Sequence, residues 1–155
     1  MSDNIKLVTT NRKARHEYKI DDTLEAGVVL VGTEVKALRE GRANLQDAYC
    51  SIYRGEITLH QCHISPYSYG NQFNHESIRP RKLLLHRREI DKWERITKQK
   101  GYTIVPLKIY FKNGRAKVLI GLARGKKLYD KRADIADRDS KRKLERILKG
   151  GRNID

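Results

Sequence analysis

At 155 residues the chain has room for one compact domain and an appended segment. It carries 34 Lys and Arg against 19 Asp and Glu, a formal net charge of +15, with a hydrophobic content of 38%. These values allow a modest core and argue against a membrane span, because no stretch approaches about 18 uncharged apolar residues. The positive excess favours an anionic polymer as partner, since each neutralised phosphate releases counterions.

The N-terminal "MSDNIKLVTTNRKARHEYKI" lacks the apolar core of a secretory signal, and residues 1–12 read as a flexible lead-in. Two cysteines without a signal imply reduced thiols and a cytoplasmic protein. "HEYKIDDTLEAGVVLVG" reads as a bent strand from His16 to Val31, with Gly27 marking a bulge. "GTEVKALREGRANL" reads as a short helix: Thr33 is the N-cap, Val35 and Leu38 face inward, and Gly41 closes it. "DAYCSIYRGEITLHQCHI" reads as a hairpin turning at Arg54-Gly55, with Ile57 and Leu59 on one face. Residues 65–82, rich in Asn, Ser and Tyr, read as a long loop-like segment. The helix in "KLLLHRREIDKWERITKQKG" buries Ile90, Trp93 and Ile96 and stops at Gly101. "YTIVPLKIYFKNGRAKVLIGLARG" gives two alternating strands around Asn113-Gly114, a type I′ hairpin signature.

About six short strands with interspersed helices predict a mainly β fold with helices, a small antiparallel OB-type barrel spanning 13–123. A β-sandwich with added helices is the competing architecture. Residues 124–155 are expected to form a flexible C-terminal tail. Residues 123–155 hold 12 Lys and Arg against 6 Asp and Glu, net +6, so the remainder carries +9. Two basic surfaces are therefore expected.

"HQCHI" places His60 and Cys62 on one strand face and His63 on the other, without the second ligand pair a zinc site needs. No motif of nucleophilic, phosphate-cradling or metallopeptidase type occurs, so neither metal, cofactor nor catalysis is expected. The clusters "NRKARHEY" and "RPRKLLLHRRE" are more informative. Arginine forks onto phosphate, while His and Tyr stack on exposed bases. RNA fits better than duplex DNA, because no helix is patterned as a major-groove reader. On electrostatic grounds Asn11, Arg12, Lys13, Lys36, Arg39, Arg81 and Lys82 are the expected RNA contacts.

"NRKARHEY", "EAGVVLVGTEVKALREG", "HISPY", "NHESIRPRKLLLH", "GYTIVPLKIYFKNGRAKV" and "GLARGKKLYDKR" together closely resemble the bacterial SsrA-binding protein family, in order from Asn11 to about Lys149. The resemblance implies a non-catalytic adaptor with an OB-type barrel. It would bind the tRNA-like part of transfer-messenger RNA and deliver it to stalled ribosomes for trans-translation. It further implies that Glu25, Leu84 and His86 belong to the RNA-binding face. It assigns Asp130, Lys131 and Arg132 to action on the ribosome. Lys126, Lys127 and Tyr129 join them as the segment expected at the decoding site, against small-subunit rRNA. A monomer is expected in solution. A general RNA chaperone or ribosome-associated RNA binder is the alternative, and a small ribonuclease using His and Glu a third.

The tail, "GKKLYDKRADIADRDSKRKLERILKG", keeps helical spacing with few apolar side chains. Ordering each residue costs about 1–2 kcal/mol, and Ile135, Leu144, Ile147 and Leu148 are too few to offset that over 133–149. The tail is expected to be unfolded when free and helical in the empty mRNA channel, where its cations meet phosphate.

Overall fold

A computed structural model describes residues 4–67, 74–99 and 101–125 of the chain. Nine strands and three helices alternate along them: β1 (Ile5–Thr10), α1 (Arg12–Glu17), β2 (Tyr18–Val28), α2 (Gly32–Arg39), β3 (Ala43–Asn44), β4 (Tyr49–Tyr53), β5 (Glu56–His60), β6 (His63–Ile64), β7 (Arg81–Leu84), α3 (Arg87–Thr97), β8 (Tyr102–Lys112) and β9 (Arg115–Gly125). All pairings are antiparallel. The ring runs β8-β4-β5-β7-β2-β9 and closes through β8 and β9. This is the expected six-stranded OB-type barrel; β1 adds to β8 outside the ring, and β3 pairs with β6 separately. None of the helices among the described residues is long and apolar enough to cross a membrane.

Alternation fills the barrel. Ile57 and Leu59 from β5, Leu83 from β7, and Ile104, Ile109, Val118 and Ile120 from the long hairpin join one core with Ile90 and Trp93 of α3. Strand β8 is buried along both faces because it serves two cores. Val105 and Leu107 point the other way, onto Ala14 of α1 and Ala123. A register shift between Pro106 and Lys108 follows from the proline, which has no N–H to give to the ladder. Asn113 and Gly114 both hold positive φ, 52° and 81°, as a type I′ turn requires. Arg54 and Gly55 do the same at 50° and 77° in the β4–β5 hairpin.

Several expectations need correction. The lead-in over residues 1–12 contains strand β1, paired with β8 from Ile5 to Thr10. Local pattern there is weak, and the strand exists because β8 offers it an edge. The bent strand begins as helix α1, and its irregularity in register lies between Ile20 and Asp22, not at Gly27. Gly27 instead lets β7 come close: a Cβ there would lie 3.3 Å from that of Leu84. Helix α2 is capped at Val31, whose N–H donates to Glu34 Oε1 at 2.9 Å, while Thr33 Oγ1 lies 2.9 Å from His75 Nδ1. Gly41 does close that helix, at φ +74°. Gln61, at φ +57°, breaks the strand between His60 and Cys62, so the two share no continuous face. Cys50 and Cys62 are buried free thiols, and burial opposes their ionisation, pushing Cys62 up to about 11.

Candidate nucleic-acid interface

Glu25 lies on β2 opposite Leu119 of β9, and one strand further lies Tyr110 of β8, in register with Lys117. The Tyr110 hydroxyl donates to Glu25 Oε2, and Lys112 Nζ lies 3.4 Å from Oε1. The hydrogen bond from Tyr110 is the main reason the Glu25 carboxyl titrates below its ordinary range. Partial burial opposes this, and Lys112 and Lys117 add to the lowering. Tyr110 is pushed up in turn, by burial first and by Glu25 second. Lys108 Nζ stands 5.6 Å from the centroid of the Tyr110 ring. The carboxylate is thus an ionised, oriented acceptor within a basic surround.

Beside it runs a groove of about 360 Å³ lined by Val28, Val35, Leu84, Phe111, Arg115 and Lys117, among others. Leu84 is 52% exposed although it belongs to a strand, because β7 alternates buried Arg81 and Leu83 with outward Lys82 and Leu84. Arg39 reaches from α2 over Phe111, its Cζ 5.1 Å from the ring centroid. Glu25 and Leu84, distant in sequence, therefore share one face, because Leu84 is in register with Gly27, two residues along β2 from Glu25. Lys82 lies on the same outer face of β7 and pairs loosely with Glu56 at 3.4 Å. His86 is exposed at the N-cap of α3, its N–H donating to Glu89 Oε1 at 3.1 Å. Lys36 lies one helical turn before Arg39, its Nζ 5.4 Å from the Tyr67 ring centroid.

Arg12 and Lys13 are exposed on α1, beside a recess formed with Thr10, Asn44 and Gln46, away from the Glu25 groove. Lys13 Nζ is 3.3 Å from Asp47 Oδ1. Two of the expected contacts are internal. Asn11 is buried; its side-chain amide donates to the carbonyls of Leu45 and Pro106 at 3.0 and 2.9 Å, and its Oδ1 accepts from the Ala14 N–H at 3.1 Å. Arg81 is wholly buried. Its Nε donates to Glu34 Oε2, Nη1 to the Cys62 carbonyl at 2.6 Å, and Nη2 to the Ser77 carbonyl at 3.2 Å. Both are structural because each has found buried acceptors that solvent-facing contact would forfeit. Lys126, Lys127, Tyr129, Asp130, Lys131 and Arg132, and the tail helix over 133–149, lie outside the described residues.

Tyr110 and Lys112, which hold Glu25, and Arg115 and Lys117, which line the groove, were not singled out from sequence. Their signal is the spacing in "KIYFKNGRAKV". Lys108, Tyr110 and Lys112 alternate onto one face, and the Asn113-Gly114 turn returns Arg115 and Lys117 beside them.

Barrel and surface together define a class: a small OB-type barrel with a basic outer face built around one oriented carboxylate. Comparison with known proteins narrows it. Residues 8–150 match the family model described as SmpB protein. The "SsrA-binding protein" of Syntrophomonas wolfei is 61% identical over 145 residues, 94% of this chain and 92% of that protein. The "SsrA-binding protein" of Bacillus subtilis is 54% identical over 144 residues, covering 93% and 92%. A solved chain from work described as "tmRNA-SmpB: a journey to the center of the bacterial ribosome" superposes with a TM-score of 0.66 at 49% identity, over 76% of this chain and 83% of that one. The chain belongs to the SmpB protein family.

Proposed function

We propose that this protein binds the tRNA-like part of transfer-messenger RNA (SsrA RNA) and delivers it to stalled ribosomes for trans-translation. The observation that carries this reading is family membership across residues 8–150, together with relatives above 50% identity named for binding SsrA. The barrel supplies a physical basis. Lys82, Lys112, Arg115 and Lys117 offer cations to a phosphate backbone, and the exposed Leu84 offers apolar surface to a sugar or base. Glu25, held ionised by Tyr110, accepts from a 2′-hydroxyl or from a base-edge N–H, a role that a lysine, which has donors only, cannot fill.

The protein acts as a non-catalytic adaptor in the cytoplasm. Arg12, Lys13, Lys36, Arg39, Lys82, Leu84 and His86 are its remaining barrel contacts. The segment Lys126–Arg132 occupies the decoding site in the space an anticodon stem would fill, and 133–149 folds as a helix in the vacant mRNA channel. A competition assay tests the adaptor reading. A tRNA-like elbow displaces labelled transfer-messenger RNA far better than unstructured RNA of equal length. Equal displacement would favour a general RNA chaperone instead.

A further inference from the structure

The outer face of β4 and β5 lies round the barrel from the Glu25 groove and carries aromatic rings that the groove does not use. Tyr49 and His60 are partners in register, with ring centroids 5.1 Å apart and planes inclined by 23°, a stacked pair. Ser51 Oγ lies 2.7 Å from His60 Nε2 and steadies the imidazole. Tyr49 is nevertheless 44% exposed. At the hairpin tip Tyr53 is 70% exposed, and Arg54 Cζ lies 5.1 Å from its ring centroid.

Arg54 is an unexpected occupant of that tip. Its φ of +50° is the left-handed conformation that suits glycine or asparagine, and Asn113 occupies the same position in the other tight hairpin. The turn gains nothing from an arginine; the gain is a guanidinium laid beside an open tyrosine. Arg87 adds a second guanidinium at the tip, so close that a Cβ on Gly55 would fall 2.6 Å from its Cζ. Lys82 continues the cationic border on β7, paired in register with Thr58.

We infer that this face is a second RNA contact, a stacking platform for unpaired nucleotides. One base lies on the Tyr49–His60 stack and another on Tyr53, while Arg54 and Arg87 meet the phosphates between them. Aromatic rings bordered by cations accept any base through its π-face, which is how single strands are held without sequence preference. An apolar protein partner is disfavoured, because Ser51, Thr58 and Glu56 separate the rings. Tyr49 and Tyr53 lie about 13 Å apart along the strand, a separation that suits an extended single strand over adjacent bases in a duplex. The inference rests on the RNA-binding reading only in taking RNA as the polyanion; it concerns a different face and a different RNA conformation.

The test uses the full chain, a fluorescein-labelled oligouridylate at low salt, and a folded tRNA-like hairpin as the second probe. Tyr53→Ala combined with Arg54→Gly, and separately Tyr49→Ala, should each weaken oligouridylate binding by about tenfold while leaving hairpin affinity nearly unchanged. Tyr53→Phe keeps the ring and should bind as the parent does. The Tyr53 and Arg54 positions are exposed, and glycine relieves the turn, so melting curves should match. Unchanged oligouridylate affinity in both alanine variants overturns the proposal. So does loss with Tyr53→Phe, equal loss of both probes, or an unsubstituted protein that ignores the oligouridylate. Failure of the tRNA-like hairpin alone to bind would count against the proposed function and not against this face.

Discussion

The Glu34 carboxylate and the Arg81 guanidinium meet inside the protein, both wholly shielded from solvent, and tie helix α2 to strand β7. Arg79 Nη2 donates to the same carboxylate at 2.6 Å, and the Val31 N–H at 2.9 Å completes its shell. Removing one member of such a group strands a buried charge, which costs about 3–5 kcal/mol. Glu34→Ala should therefore lower unfolding free energy by that order in a denaturant titration. Arg81→Glu should leave no folded barrel in the same experiment.

Acid should reveal the same group. Burial pushes the Glu34 carboxyl up, but hydrogen bonds from Arg79, the Val31 N–H and Arg81 outweigh it, so the folded-state value lies below the ordinary one. Glu25 is lowered too, chiefly by Tyr110. A carboxyl depressed by folding contributes stability that is complete above its unfolded value of about 4.3. That contribution fades as the pH falls through the lower folded value. Melting temperature should accordingly drop on acidification below about pH 4, and the drop should be shallower in Glu34→Ala. An unaltered acid limb in that variant would remove Glu34 as its source.

Asn11 supplies a test of structure against contact. Its side chain satisfies two buried carbonyls and one helix N–H, so Asn11→Ala should cost about 1–3 kcal/mol of stability. RNA affinity per folded molecule should be unchanged, as measured by filter binding well below the melting temperature. Lost affinity with normal stability would return Asn11 to the interface.

At the Glu25 groove, Lys82→Glu and Lys117→Glu should each weaken binding to the tRNA-like RNA. Each should also flatten the plot of log affinity against log salt, by about 0.9 for every phosphate that is no longer neutralised. Tyr110→Phe deletes the largest influence lowering the Glu25 carboxyl, so its pKa should rise. Binding should then begin to fail at a higher pH than in the parent when titrated downward. A pH profile superimposable on the parent's would mean that ionised Glu25 takes no part in binding.

The tail divides the labour. Deleting 131–155 should leave transfer-messenger RNA affinity nearly intact in a gel-shift titration while abolishing peptide tagging in a reconstituted translation reaction. Equal collapse of both would place RNA-binding determinants in the tail.

Local chemistry made much of the architecture legible. The Asn113-Gly114 and Arg54-Gly55 turns, the Ile90 and Trp93 spacing of α3, and the alternation of Ile57 and Leu59 depend on neighbours within a few residues, and all stand as read. The blocks shared with the SsrA-binding proteins were legible for the same reason, being contiguous in sequence. The misjudged residues were those whose surroundings come from elsewhere in the chain. Strand β1 depends on an edge supplied by β8, far along the chain. Asn11 is buried through Leu45 and Pro106, separated from it by 34 and 95 residues.

The amino-acid string alone determined that this protein is basic and strand-rich with a helix-patterned extension, because charge, periodicity and turn chemistry are properties of short stretches. Pattern left barrel and sandwich both open, and the closure of β8 on β9 decided between them. Which cations face solvent was decided only by folding. Arg81 and Lys82 are adjacent and chemically alike, yet the pleat of β7 sends one into Glu34 and the other outward. Barrel closure likewise made Glu25, Leu84 and Lys117 neighbours, since only the tertiary ring brings β2, β7 and β9 side by side.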